Sequence, residues 1–218
     1  RSGKYPCRVW ALPCRRQKCL QRKRLTLVTT LTNPKICVDP GHGGSDPGAV
    51  GTYNKVTYYE KDIALGIAQW LREYLIADGY TVIMTRTSDT YVSLTERYTI
   101  ANSNNVDAFV STHINSSTSA TTRGTTCIYP NNHDIVSSLD LATEVHNAVL
   151  WVTSLTEYTA PYMDNRNLAV LRNTIMPAII TETGFMSNSS DLGYLIQSSN
   201  RQYIGAAIEL GIYWWLPA

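Results

Sequence analysis

At 218 residues and 24.3 kDa, the chain is the size of one ordinary domain with room for an appendage, and too short for a multidomain machine. Hydrophobic residues make up 44% and charged residues 17%, and no apolar run approaches the ~20 residues of a spanning helix, so a membrane-spanning helical protein and a wholly disordered chain are both excluded. The formal net charge of +2 conceals a split: residues 1–35 hold ten Lys and Arg and no acid, while residues 36–218 hold nine basic and seventeen acidic groups.

The basic segment, residues 1–34, reads as a solvated tail. It holds Cys7, Cys14 and Cys19 but no His and no fourth Cys, which is one donor short of a tetrahedral metal site. Residues 8–24 lack the apolar stretch of a secretory signal. Its charge, with Tyr5 and Trp10, would suit nucleic acid or anionic wall polymers through counterion release, but a disordered tail is expected and nucleic acid is not expected as a partner.

From Lys35 onward, short β-rich runs alternate with helical patterns, which is the texture of an α/β domain. KICVD (35–39) reads as a buried strand stopped by Pro40 and a Gly-rich loop, GHGGSDPGAVG. Residues 60–78 place Ile63, Ile67, Leu71 and Leu75 on one stripe and stop at Gly79, the pattern of an amphipathic helix. TVIMTR (81–86) follows as a strand, and Ser93-x-x-Glu96 is a capping box opening a helix expected to turn Leu94, Tyr98 and Ala101 inward. AFVSTHI (108–114) and GTTCIY (124–129) read as strands joined by a mobile Ser/Thr loop; Cys37 and Cys127 fall inside strands as buried hydrophobes. Residues 134–152 read as a helix, 168–171 as a short strand, 178–183 as a buried strand and 201–215 as a closing helix.

Four polar residues end or interrupt these apolar runs: His42, Glu60, His113 and Glu182. In open α/β sheets, the carboxyl ends of strands converge on the site, so three of them can meet there while a helix start supplies Glu60. Two neutral imidazoles and one carboxylate make a catalytic zinc set with a fourth position left for water, and the second glutamate is then free to act as a base. For any single histidine, an ordinary hydrogen-bonded role is the simpler reading; the four together are harder to dismiss.

The strings VDPGHGGSDPGAVG, EKDIAL, TRTSDTYVSLTERYTIAN, AFVSTHINSS and VLRNTIMPAIITETGFMSN, in this order, resemble the zinc-dependent N-acetylmuramoyl-L-alanine amidases of the amidase-3 type, from about Lys35 to Leu216. The resemblance implies a three-layer α/β sandwich around a six-stranded mixed sheet, with residues 35–218 as the catalytic domain. It implies Zn2+ held by His42, Glu60 and His113, with Glu182 as the catalytic glutamate. The implied reaction hydrolyses the amide between N-acetylmuramic acid and L-alanine in peptidoglycan, outside the membrane or in the cell wall, by a monomer; autolysins, spore and division enzymes and phage lysins share that chemistry. A peptidoglycan-binding scaffold without catalysis is the competing reading, and the presence of Glu182 argues against it.

Around these four, Asp39, Ser111 and Asn115 are candidates for orienting the site. Arg86, Asp89 and Arg97 read as an ion-pair network fixing the nearby loop, and Arg166 or Arg172 as a contact for a stem-peptide carboxylate. His133 and His146 are expected on the surface. Trp214 and Trp215 offer a sugar-stacking face, although adjacent helical positions diverge and at least one should be core.

Overall fold

The computed structural model describes residues 33–216, so the expectations for residues 1–32 lie outside the described residues. In chain order, the elements are β1 (Lys35–Pro40), β2 (Val50–Tyr53), β3 (Val56–Tyr59), α1 (Glu60–Ala77), β4 (Thr81–Met84) and α2 (Leu94–Ser103). They continue as β5 (Ala108–Asn115), β6 (Thr125–Tyr129), α3 (Ile135–Val152), β7 (Tyr162–Met163), α4 (Ala169–Arg172), β8 (Ala178–Phe185), α5 (Ser189–Leu195) and α6 (Ser198–Trp215). No helix among the described residues is long and apolar enough to cross a membrane.

The main sheet has six strands in the order β4-β1-β5-β8-β6-β7. It is parallel except where β6 runs against β8, so the expected mixed sheet is present. Its central strands are buried on both faces, which is why they read as continuous apolar runs rather than alternating ones. The strand period of two sends Ile36, Val38, Ala108, Val110 and Ile179 into a core shared with α1, α3 and α6. Cys37, Phe109, Ala178 and Ile180 point the other way, into a smaller core with Ala101 of α2 and Leu171 of α4. Helices therefore cover both faces. Asp39, Ser111, His113 and Glu182 continue the second set of positions toward the carboxyl ends of β1, β5 and β8.

Several sequence expectations need correction. Residues 168–171 form no strand: the backbone N–H groups of Leu171 and Arg172 both return to the Leu168 carbonyl, closing the helical turn α4. The Gly-rich stretch leads into a β2–β3 hairpin, whose two turn residues, Asn54 and Lys55, both have positive φ, as a tight hairpin turn requires. On α2 the capping box is present, but Leu94 is exposed, and the inward face carries Arg97 beside Ala101.

Candidate functional site

The loop after β1 is held from below by two buried guanidinium groups. Arg86 donates through Nε to the Pro40 carbonyl at 3.1 Å, and through Nη2 to the carbonyls of Gly41 at 2.7 Å and Lys61 at 2.9 Å. Arg97 donates to the Pro40 carbonyl at 2.6 Å and the His42 carbonyl at 2.7 Å. Its charge is met by Asp39, whose Oδ1 lies 2.8 Å from Arg97 Nη1. Asp39 Oδ1 also accepts from Thr85 Oγ1, and Oδ2 from Ser111 Oγ. Asp39 and Ser111 thus touch the loop's anchor and none of the four candidate site residues. The expected Arg86–Asp89 pair is absent among the described residues: Asp89 accepts from Lys61 Nζ and from the Gly44 N–H instead.

Held this way, the loop carries His42 at φ 58°, with its ring against Glu60. Nε2 lies 3.1 Å from Glu60 Oε2, while Nδ1 lies 2.8 Å from Asp46 Oδ2. Glu60, the first residue of α1, is buried, and its Oε1 meets His113 Nδ1 at 2.8 Å. Backbone N–H groups of Ile114 and Ala49 donate to its two oxygens, so the carboxylate cannot swing away without stranding donors. The two imidazoles meet edge to face at 4.9 Å. Close approach leaves no room for a side chain beside them: a Cβ on Gly41 would sit 2.4 Å from His113 Cε1, and one on Gly48 2.7 Å from Glu60 Oε2.

One nitrogen from each histidine and one Glu60 oxygen lie within 4.8 Å of one another, a grouping that could hold a metal ion. Burial pushes Glu60 up, but hydrogen bonds from His113 and His42 outweigh it and hold the carboxyl well below its usual range. Burial pulls His42 down, and hydrogen bonds to Glu60 and Asp46 more than reverse this, raising it to about 9.

Glu182 stands next to His113, its register partner across β5 and β8. The two residues, His42 and Glu60 line one cleft of about 310 Å³. Glu182 is 8% exposed, and its Oε2 has no hydrogen-bond partner among the described residues. Burial raises it to about 7, with His113 opposing the rise and Glu60 adding to it. The structure thus brings all four sequence candidates together: two imidazoles clustered around a carboxylate, and a second, unpartnered carboxyl beside them.

A family profile described as N-acetylmuramoyl-L-alanine amidase, Amidase_3, matches residues 36–213. The chain belongs to the amidase-3 family. The sporulation-specific N-acetylmuramoyl-L-alanine amidase of Bacillus subtilis is 38% identical over 168 residues, 76% of this chain and 61% of that protein. The probable cell wall amidase LytH of Staphylococcus saprophyticus is 34% identical over 182 residues, 84% of this chain and 58% of that protein. The chain therefore spans about three fifths of the length of these two relatives. The crystal structure of an N-acetylmuramoyl-L-alanine amidase from Clostridium difficile 630 superposes with a TM-score of 0.77 at 31% identity, covering 83% of this chain and 95% of that one.

Within this amidase-3 domain the remaining sequence candidates separate cleanly. Asn115 and Arg166 line the cleft, whereas Arg172 turns back to the Asn167 carbonyl. His146 is buried rather than on the surface, because the broad face of α3 lies between the sheet and α6; its Nε2 is 3.3 Å from Glu157. His133 is partly covered and reaches the Leu171 carbonyl. Trp215 packs against the main core, and Trp214 lies against Trp151 with ring centroids 5.9 Å apart and planes tilted by 47°, so neither lines the cleft. Asp46 is the site residue that sequence reasoning missed. Its signal is a carboxylate four positions after His42, placed to take the imidazole's second nitrogen.

Proposed function

We propose that this chain is a zinc-dependent N-acetylmuramoyl-L-alanine amidase: it hydrolyses the amide joining the lactyl group of N-acetylmuramic acid to the L-alanine of the stem peptide. The cell wall, outside the membrane, is its place of action, peptidoglycan its partner, and the monomer its working form. Residues 35–218 are the catalytic domain and residues 1–34 a basic appendage. The observation that carries the reading is the convergence of His42, Glu60 and His113 beside a buried glutamate with an unpartnered oxygen, in one cleft. Family membership and the amidases named above support the same reaction class.

The donor set fits zinc: two imidazole nitrogens and one carboxylate oxygen, the hydrogen-bonded orientation of each fixed by its neighbours. His42, Glu60 and His113 would hold the ion. Bound there, zinc supplies Lewis acidity toward the scissile carbonyl and lowers the pKa of water at the site toward roughly 7. Asp46 holds the His42 ring with Nε2 turned inward. Glu182 takes the proton from the attacking water and returns it to the alanine nitrogen, since an amine expelled unprotonated is a poor leaving group. Its raised pKa suits both halves of that task at neutral pH.

The test is incubation of purified peptidoglycan with the protein, with and without chelator. The expected products are free L-alanine amino termini without new reducing sugar ends, lost on chelation and restored by zinc. New reducing ends would make the protein a glycosidase, and undiminished cleavage in chelator would remove the metal from the reaction.

A further inference from the structure

Building on that reading, we propose that Arg166 selects the substrate by binding a carboxylate of the stem peptide, the α-carboxylate that γ-linked D-glutamate presents one residue beyond the scissile amide. Seven arginines lie among the described residues, and six of them spend the guanidinium within the protein: Arg72 on Glu73, Arg86, Arg97, Arg172 and Arg201 on backbone carbonyls, and Arg123 beside Asp191. The Arg166 guanidinium has no hydrogen bond or ion pair among the described residues. It is also the one Lys or Arg among them that lines the cleft.

Its root is rigid even though its head is free. Asp164, buried and tied to β6 where its N–H donates to the Tyr129 carbonyl, spends its carboxylate on the backbone N–H groups of Arg166 and Leu168. The acid two residues before Arg166 is therefore occupied in shaping the loop rather than in pairing with the side chain. Arg172 Nη1 adds a second tie at the Asn167 carbonyl. An unpaired guanidinium on a fixed loop presents a planar fork that matches a carboxylate and loses little freedom on binding one.

The charges along the cleft set the direction. Glu60 and Glu182 lie at the reacting end, where a substrate carboxylate would be repelled. Apolar side chains of Leu168, Val170 and Ile180 share the lining with Arg166, whose charge acts on Glu182. A stem peptide with its scissile amide at Glu182 can bring its next carboxylate to that cation, whose charge offsets the repulsion from both acids.

The experiment uses two soluble muropeptides, N-acetylmuramoyl-L-alanyl-γ-D-glutamyl-L-lysinamide and its glutamate α-carboxamide, which differ only in the one α-carboxylate, with the zinc-loaded full chain. The wild type is expected to show a KM about tenfold lower for the acid, an open rim giving less than a buried charged hydrogen bond. Arg166→Gln should erase that difference with kcat kept within about twofold, and Arg166→Lys should recover part of it. In parallel, calorimetry measures binding of the tripeptides L-alanyl-γ-D-glutamyl-L-lysinamide and its glutamate α-carboxamide. Hydrolysis of both muropeptides by the wild type without preference overturns the inference and leaves the amidase reading standing; so does an equal fall in kcat on both in Arg166→Gln, which would mean the arginine acts through Glu182. Tighter, Arg166-dependent binding of the acidic tripeptide without hydrolysis of either muropeptide supports the carboxylate site and overturns the amidase reading.

Discussion

Replacing Asp39 with alanine should cost about 4 kcal/mol, because it strands a buried cation. Asp39 is 1% exposed and Arg97 3%, so neither has water to fall back on. Breaking a buried pair by removing one member costs about 3–5 kcal/mol, and the hydroxyls of Thr85 and Ser111 lose an acceptor at about 1 kcal/mol each. Arg97 keeps its carbonyl acceptors at Pro40, His42 and Val92, which offsets part of that sum. For a domain of this size, about 4 kcal/mol corresponds to a fall of about 8–16 °C in melting temperature. The assay is thermal unfolding of Asp39→Ala, Arg97→Met and the double variant. The double variant should be more stable than additivity of the singles demands, since it removes both charges together. A fall below about 3 °C for Asp39→Ala, or strict additivity in the cycle, would refute the reasoning.

Glu182→Gln should keep zinc and lose about 100-fold or more in rate, whereas Glu60→Gln should lose rate through lost zinc and be partly rescued by adding it; metal analysis beside kinetics separates the two. Because burial holds Glu182 near 7, a base there loses its charge as pH falls, so kcat/KM should decline on the acid side of about 7; a cation at the neighbouring triad moves that limb further acid and never alkaline. Gly48→Ala, at φ +65° with its new Cβ against His42 and Glu60, should weaken zinc binding by about tenfold or more in a competition titration while the domain still folds. Burial, reinforced by Asp78, raises Glu209 from 4.5 to about 8, so the native state holds a proton that the unfolded chain has released across that window, and stability falls as pH rises through it. Glu209→Gln should remove that slope and melt higher than the wild type at pH 8 but not at pH 4.5; parallel pH dependences in the two proteins would contradict it.

What the sequence made legible were features written in local pattern. The stripe from Ile63 to Leu75 could only be a one-sided helix, and polar residues closing the apolar runs of β1, β5 and β8 pointed to strand ends where a site forms. The hairpin was hidden because Lys55 occupies a left-handed turn position where glycine would have announced it. Residues 168–171 are apolar enough for a strand, and what marks the helical turn is contact outside that pattern: Asp164 takes the Leu168 N–H, and Asn173 Nδ2 donates to the Ala169 carbonyl. The burial of His146 and the carbonyl-clasping role of Arg86 depend on partners distant in sequence, which no local pattern records.

The position of β8 also bears on how the molecule comes into being. It is the last strand in the chain, yet it lies in the middle of the sheet, and β6 with its neighbour β7 reaches the remaining strands only through it. A chain still being synthesised can pair β1, β4 and β5 and so gather His42 and His113, but it has neither Glu182 nor one wall of the cleft. Long-range parallel pairing is slow, since loop closure must precede any reward from contact. With Glu182 as the proposed base, a nascent chain lacks that base, and the proposed capacity to cut arrives only when β8 slots between strands that are already made.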